Sequence, residues 1–183
     1  MYRVSIRDTL LAVRPPDLLI LLGLLRPDLP EDWSVRSLAG ELHLPQAAVQ
    51  RSLGRLGETP AYDPRRKRVS RSAAEELFAH AVPFIAPARL GAPTRGVATA
   101  WAAAPLSAQL SESGELPPVW PDAHGEIRGL AVVPLHDAVP DLARDDPWMY
   151  EALALVDGVR IGDARVRGLA HELLQARLRD GAR

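Results

Sequence analysis

Two short rows of apolar residues lie close together in the first third of the chain. In the stretch LAGELHLPQAAVQRSLGRL, residues 38 to 56, Leu38, Ala39 and Leu42 fall on one face of a short helix. Leu44 closes a sharp turn, and Val49, Leu53 and Leu56 line the inner face of a second helix. Spacings of three and four residues predict that each helix buries one side. Ala39 falls where the two axes approach, so a larger side chain there would push them apart. Upstream, Leu18, Leu19, Leu21, Leu22 and Leu25 predict a helix that is apolar almost all round and therefore buried, opened by Pro15 and Pro16 and ended by Pro27 and Pro30. Ser34 is the natural N-cap of the next helix, with Trp33 and Leu38 placed to close a hydrophobic staple.

Downstream the pattern changes. Thr59 to Arg71, TPAYDPRRKRVSR, predicts a β-hairpin whose turn begins at Asp63-Pro64. Ser72-Ala73-Ala74-Glu75 has the form of a capping box, Leu77, Phe78 and Ala81 give an apolar stripe, and Pro83 ends the helix. Residues 83–122 are rich in Pro, Ala and Gly and read as an extended, packed connection with one or two short strands and a short helical segment at 97–104. Phe84, Ile85, Trp101 and Trp120 argue that this connection is not a disordered tether. Arg95-Gly96 reads as a structural turn. Glu126 to Leu135 predicts a strand. Asp146-Pro147 opens a helix through Tyr150, Leu153 and Val156, and Gly162-Asp163 opens a last one carrying Val166, Leu169, Ala170, Leu173, Leu174 and Leu178. Its other face bears Arg167, His171, Gln175 and Arg179. These two helices form a hairpin that packs on the N-terminal unit, seams a dimer or docks another protein.

With the apolar set inside, the outward face of the second helix is Gln46, Ala47, Gln50, Arg51, Gly54 and Arg55, two amides and two guanidiniums with no acid. Such side chains make bidentate contacts to base edges and phosphates. The pattern resembles the helix-turn-helix of bacterial winged-helix transcription regulators, of the broad kind that includes the MarR and ArsR families. It departs from them at His43, where a left-handed glycine is usual, and at Pro45, which starts the second helix without a side-chain cap. An ordinary helical hairpin with a basic outer face is the bland alternative.

The resemblance implies an α+β, mostly helical winged helix-turn-helix domain over 1–88. A Pro/Ala/Gly-rich connecting segment over 89–125 and an acidic segment with a helical hairpin over 126–183 follow it. The helix at 45–57 would enter the major groove with Gln46, Ala47, Gln50 and Arg51 at the bases. Arg36, Arg55 and a wing of Arg65, Arg66, Lys67, Arg68 and Arg71 would hold phosphates or the minor groove. A solvated charge cluster is the alternative reading of that wing.

Composition narrows the classes. The chain has 183 residues, 47% hydrophobic and 25% charged, as in a globular protein. Having no cysteine, it has no disulfide, thiolate metal site or cysteine nucleophile. The longest apolar run, Leu18 to Leu25, is too short for a bilayer, so no membrane association and a cytoplasmic location are expected. The net charge of −1 hides an asymmetry. Residues 1–71 hold twelve Arg/Lys against eight Asp/Glu, a net +4, while residues 112–157 hold ten acids against only Arg128 and Arg144, a net −8.

The five histidines, His43, His80, His124, His136 and His171, share no metal-ligand spacing, and Asp137, Asp141, Asp145 and Asp146 do not match a calcium loop. Phosphate loop, dinucleotide fingerprint and nucleophile elbow are all absent from the sequence. No catalysis, cofactor or metal is therefore expected. The expected function is a sequence-specific double-stranded DNA-binding regulator, a repressor acting as a homodimer. The alternative is a protein-interaction adaptor, or an antitoxin-like partner of a neighbouring gene product, with the acidic segment facing a basic protein.

Overall fold

The computed structural model describes residues 13–110 and 116–180. Arg3, Arg7 and Asp8 of the basic part and Glu112 and Glu115 of the acidic part lie outside the described residues. The architecture is α+β and mainly helical.

Helix α1 (Pro15–Leu25) is buried from Asp17 to Leu25, as its unbroken apolar surface requires. It is central, touching elements from both ends of the chain. Helix α2 (Val35–Glu41) starts where expected, with the Ser34 hydroxyl accepting from the Ser37 amide at 3.0 Å. Trp33 and Leu38 are both buried beside it. The turn that follows puts His43 at φ 54° and closes with the Leu44 amide donating to the Ala39 carbonyl at 2.9 Å. Histidine thus takes the left-handed position that usually falls to glycine, at a modest steric cost. Helix α3 (Gln46–Leu56) begins one residue later than the sequence suggests: Pro45 is its N-cap and leaves the first amides without a side-chain partner.

Strands β1 (Tyr62–Asp63) and β2 (Arg68–Val69) pair antiparallel, Tyr62 opposite Val69. Asp63 shapes the tip, its Oδ1 accepting from the Arg65 and Arg66 amides at 2.9 and 3.2 Å, and Lys67 closes it at φ 50°. Helix α4 (Arg71–Glu76) is capped by Ser70, accepting from Ala73 at 3.4 Å, rather than by Ser72. Pro83 does not end it. A π-helical turn over Leu77–Ala81 leads into α5 (Val82–Ile85), where Pro83 sits in the first turn and its missing N–H is not needed.

Three strands, β3 (Pro93–Ala98), β4 (Pro118–Pro121) and β5 (Ile127–Ala131), then close on one another. β3 runs antiparallel to both others, and β4 runs parallel to β5. Arg95-Gly96 lies within β3 instead of forming a turn. A Cβ on Gly96 would stand 2.0 Å from the Trp120 carbonyl oxygen, so closure of this small sheet needs glycine there. Of the helical segment expected at 97–104, only a 3-10 turn at Ala100–Ala102 forms.

Helix α6 (Val139–Asp145) forms in the acidic segment between the expected strand and the helix opened by Asp146-Pro147, and Val139, Pro140, Leu142 and Ala143 are its buried side. α7 (Pro147–Ile161) is capped by Asp146, which accepts from Met149 at 3.0 Å. α8 (Ala164–Asp180) is opened by Asp163, which accepts from Val166 at 2.8 Å. The two pair closely because Gly158 has no side chain: a Cβ there would stand 2.8 Å from that of Ala170. The hairpin packs back on α4, with Arg179 3.1 Å from Glu75. One apolar core runs from Leu18 to Leu178 through all three expected segments.

Candidate nucleic-acid interface

Because Val49 and Leu56 point into the core, α3 turns Gln46, Ala47, Gln50, Arg51 and Gly54 to solvent. Among the described residues Arg51 has no ion-pair partner and no other element covers this face. Arg36 is exposed on the first turn of α2, and Arg65, Arg66, Lys67 and Arg68 are exposed on the hairpin. α3 and the hairpin follow one another directly, so one short piece of chain carries both basic surfaces.

Two of the expected phosphate-binding cations, Arg55 and Arg71, are hydrogen-bonded within the protein, and a third, Lys67, lies near an aromatic ring. Arg55, expected to reach phosphates, grips Asp17 through Nε and Nη2 at 2.8 and 2.5 Å and also donates to the Ser52 hydroxyl at 2.9 Å. Asp17 is fully buried, and its hydrogen bonds push the Arg55 guanidinium to a still higher pKa. Arg55 is therefore a strut between α3 and α1. Arg71 lies past the hairpin, as the first residue of α4, and its Nη1 donates to the Leu178 carbonyl. Lys67 remains exposed, its ammonium 5.4 Å from the centre of the Trp33 ring. Arg66 sits 3.8 Å from Asp63, a loose pair on an exposed turn.

The acidic segment meets this unit behind the turn. His43 Nε2 lies 3.1 Å from Asp145. Arg26 gathers Asp28, Glu41 and Asp146 at 2.8, 2.9 and 3.4 Å, joining α1, α2 and the cap of α7. The Asp28 hydrogen bond raises the Arg26 pKa against the opposing effect of burial.

Periodicity and motif spacing do not single out a second polar centre. Asp157 and Arg160, one turn apart on α7, form a buried pair at 2.5 Å. Arg160 also donates to the Ala86 and Val133 carbonyls at 2.7 and 3.0 Å. Asp157 accepts from the Thr99 hydroxyl at 2.9 Å and the Trp120 indole at 2.6 Å. Burial pushes the Asp157 carboxyl above its ordinary range, opposed by Arg160 and these two donors. Every polar atom of the pair is spent on protein groups from four segments, so it locks the fold rather than presenting chemistry. The sequence signal was an acid inside an apolar run, ALALVDGVRI, as it was for Asp17 before LLILLGLL.

Among the described residues, no group of three or more histidine or acidic side chains could hold a metal ion, and no helix is long and apolar enough to cross a membrane. No protein-family model matches this chain, and no curated protein or solved structure is significantly similar to it.

Proposed function

We propose that this protein is a sequence-specific, double-stranded DNA-binding transcription regulator of the winged helix-turn-helix type, a repressor acting as a homodimer in the cytoplasm. The single observation that carries the reading is the uncovered, acid-free face of α3, with Gln46, Gln50 and Arg51 turned outward beside a hairpin of exposed cations. In this reading α3 enters the major groove. Gln46 and Gln50 address adenine edges, Arg51 a guanine, and Ala47 a thymine methyl. Arg36, Arg65, Arg66 and Arg68 hold phosphates and fix register. One such unit covers little DNA, so two copies on half-sites about one helical turn apart supply the affinity.

Selection of bound duplexes from a random pool, followed by a gel shift at two salt concentrations, tests the reading. A discrete, competitor-resistant complex is expected. Arg51→Ala then costs about 1–3 kcal/mol on the selected site and little on random duplex. Equal losses on both would take Arg51 away from the bases, and no retardation at low salt would end the proposal.

A second reading, an adaptor or antitoxin-like protein, draws on the exposed carboxylates Asp137, Asp141 and Asp145 on and beside α6, which suit a basic protein partner. Co-purification of a neighbouring gene product that is lost with Asp137→Asn/Asp141→Asn would favour it.

A further inference from the structure

Between the hairpin and the connection from α1 to α2 lies a cleft of about 760 Å³. Residues 24–27, 29–31 and 33 form one wall, and residues 66–69, 71 and 72 the other. Clefts of that size hold small molecules. Its charge is lopsided: among the described residues, Arg26, Arg66, Lys67, Arg68 and Arg71 line it against the single acid Glu31.

These cations are not equivalent. Arg26 is neutralised by its three carboxylates, and Arg71 is tied to the end of α8. The hairpin supplies the remaining three from consecutive positions, all exposed. The backbone that carries them is also held in place. The left-handed backbone of Lys67 and the two amides gathered by Asp63 set the turn, and Lys67 rests on Trp33, which is itself only 6% exposed. Three like charges on one concave wall repel one another, and a compact anion relieves that repulsion while meeting little opposing charge. Guanidinium forks suit phosphate oxygens, and several cations within one cleft suit an anion with several charges close together.

We propose that this cleft binds a small phosphorylated metabolite carrying at least two phosphates, held by Arg66, Lys67 and Arg68. Binding itself does not depend on the regulator reading. Resting on that reading is one consequence: the ligand withdraws Arg66 and Arg68 from the duplex backbone and so weakens DNA binding.

Titration calorimetry of the full chain with inorganic pyrophosphate, at constant ionic strength and with sulfate as reference, tests the site. Saturable one-to-one binding is expected, at least tenfold tighter than sulfate. Arg66→Ala/Arg68→Ala weakens it tenfold or more. Arg95→Ala/Arg128→Ala, which removes two exposed guanidiniums facing each other across β3 and β5, changes it less than twofold. Circular dichroism melts check that both variants stay folded. No saturable heat, or equal loss in the two variants, overturns the proposal, because either marks diffuse attraction to surface charge. A gel shift separates the two ideas. Pyrophosphate binding with no duplex binding leaves the cleft and removes the regulator, whereas duplex binding without pyrophosphate binding does the reverse.

Discussion

Replacing Arg55 by alanine separates the two roles open to that residue. In the structure Arg55 is the partner of a carboxylate with no solvent exposure, through two hydrogen bonds of 2.8 and 2.5 Å. Removing one member of a buried pair strands the other, which costs roughly 3–5 kcal/mol. Here the cost is smaller. The Arg55 side chain is 24% exposed, so water enters once it is cut back, and Asp17 keeps the Arg14 amide at 2.7 Å as a cap for α1. About 2–3 kcal/mol is the working figure, discounted for solvent access. For a chain of this length that lowers Tm by roughly 4–12 °C. Urea unfolding of Arg55→Ala, Asp17→Ala and the double variant measures it. The double variant should recover at least about 1 kcal/mol of the summed single losses, because the stranded charge is gone. Unchanged stability in Arg55→Ala, with a shallower salt dependence of duplex binding, would refute the strut and return Arg55 to the phosphates.

Three further outcomes follow from the packing and the charges. Arg160→Ala leaves Asp157 buried and unpaired and frees two carbonyls, so it should cost about 3–5 kcal/mol or prevent folding; Arg160→Lys, measured by urea unfolding, should lose less yet remain clearly destabilised. Gly158→Ala pushes a methyl against Ala170 and the tip of Leu106, both 2.8 Å from the new Cβ, and should cost about 1–3 kcal/mol in thermal melts, with Ala170→Gly giving part of it back. Acid should also destabilise the fold through two ion-paired carboxylates, the largely covered Asp122 and the exposed Asp28. The His124 amide and Arg144 hold Asp122 below the ordinary carboxylate range, and Arg26 does the same for Asp28. A folded pKa below the unfolded one gives stability that is complete above the unfolded value and is lost as pH falls through the folded one. Unfolding midpoints should therefore be flat in this respect above about pH 5 and drop below pH 4, and Asp122→Asn should flatten the drop.

Much of the helical order was readable from the chain because its causes are local. The apolar run from Leu18 predicted a buried helix, Ser34 and Asp146 predicted caps, Gly162-Asp163 predicted the start of the last helix, and Asp63-Pro64 predicted the hairpin tip. Each depends on groups no more than four residues apart. The errors begin where two local answers compete. Ser70 and Ser72 can both cap α4, and the helix starts from the earlier one. Pro83 predicts a helix end, but a π-helical turn before it absorbs the missing donor and carries the helix on.

Sequence alone thus determined where most helices start, which faces are apolar, and that α3 carries an acid-free polar face, since periodicity and capping act within a turn or two. Tertiary structure decided which charges meet, because charge pairing has no period. Arg55 reaches Asp17 across 38 residues, and the buried Asp157 recruits Thr99 and Trp120 from segments 58 and 37 residues away. Closure of the three strands, the cleft behind the hairpin and the open face of α3 are likewise properties of the packed chain, fixed by distant segments competing for the same apolar core.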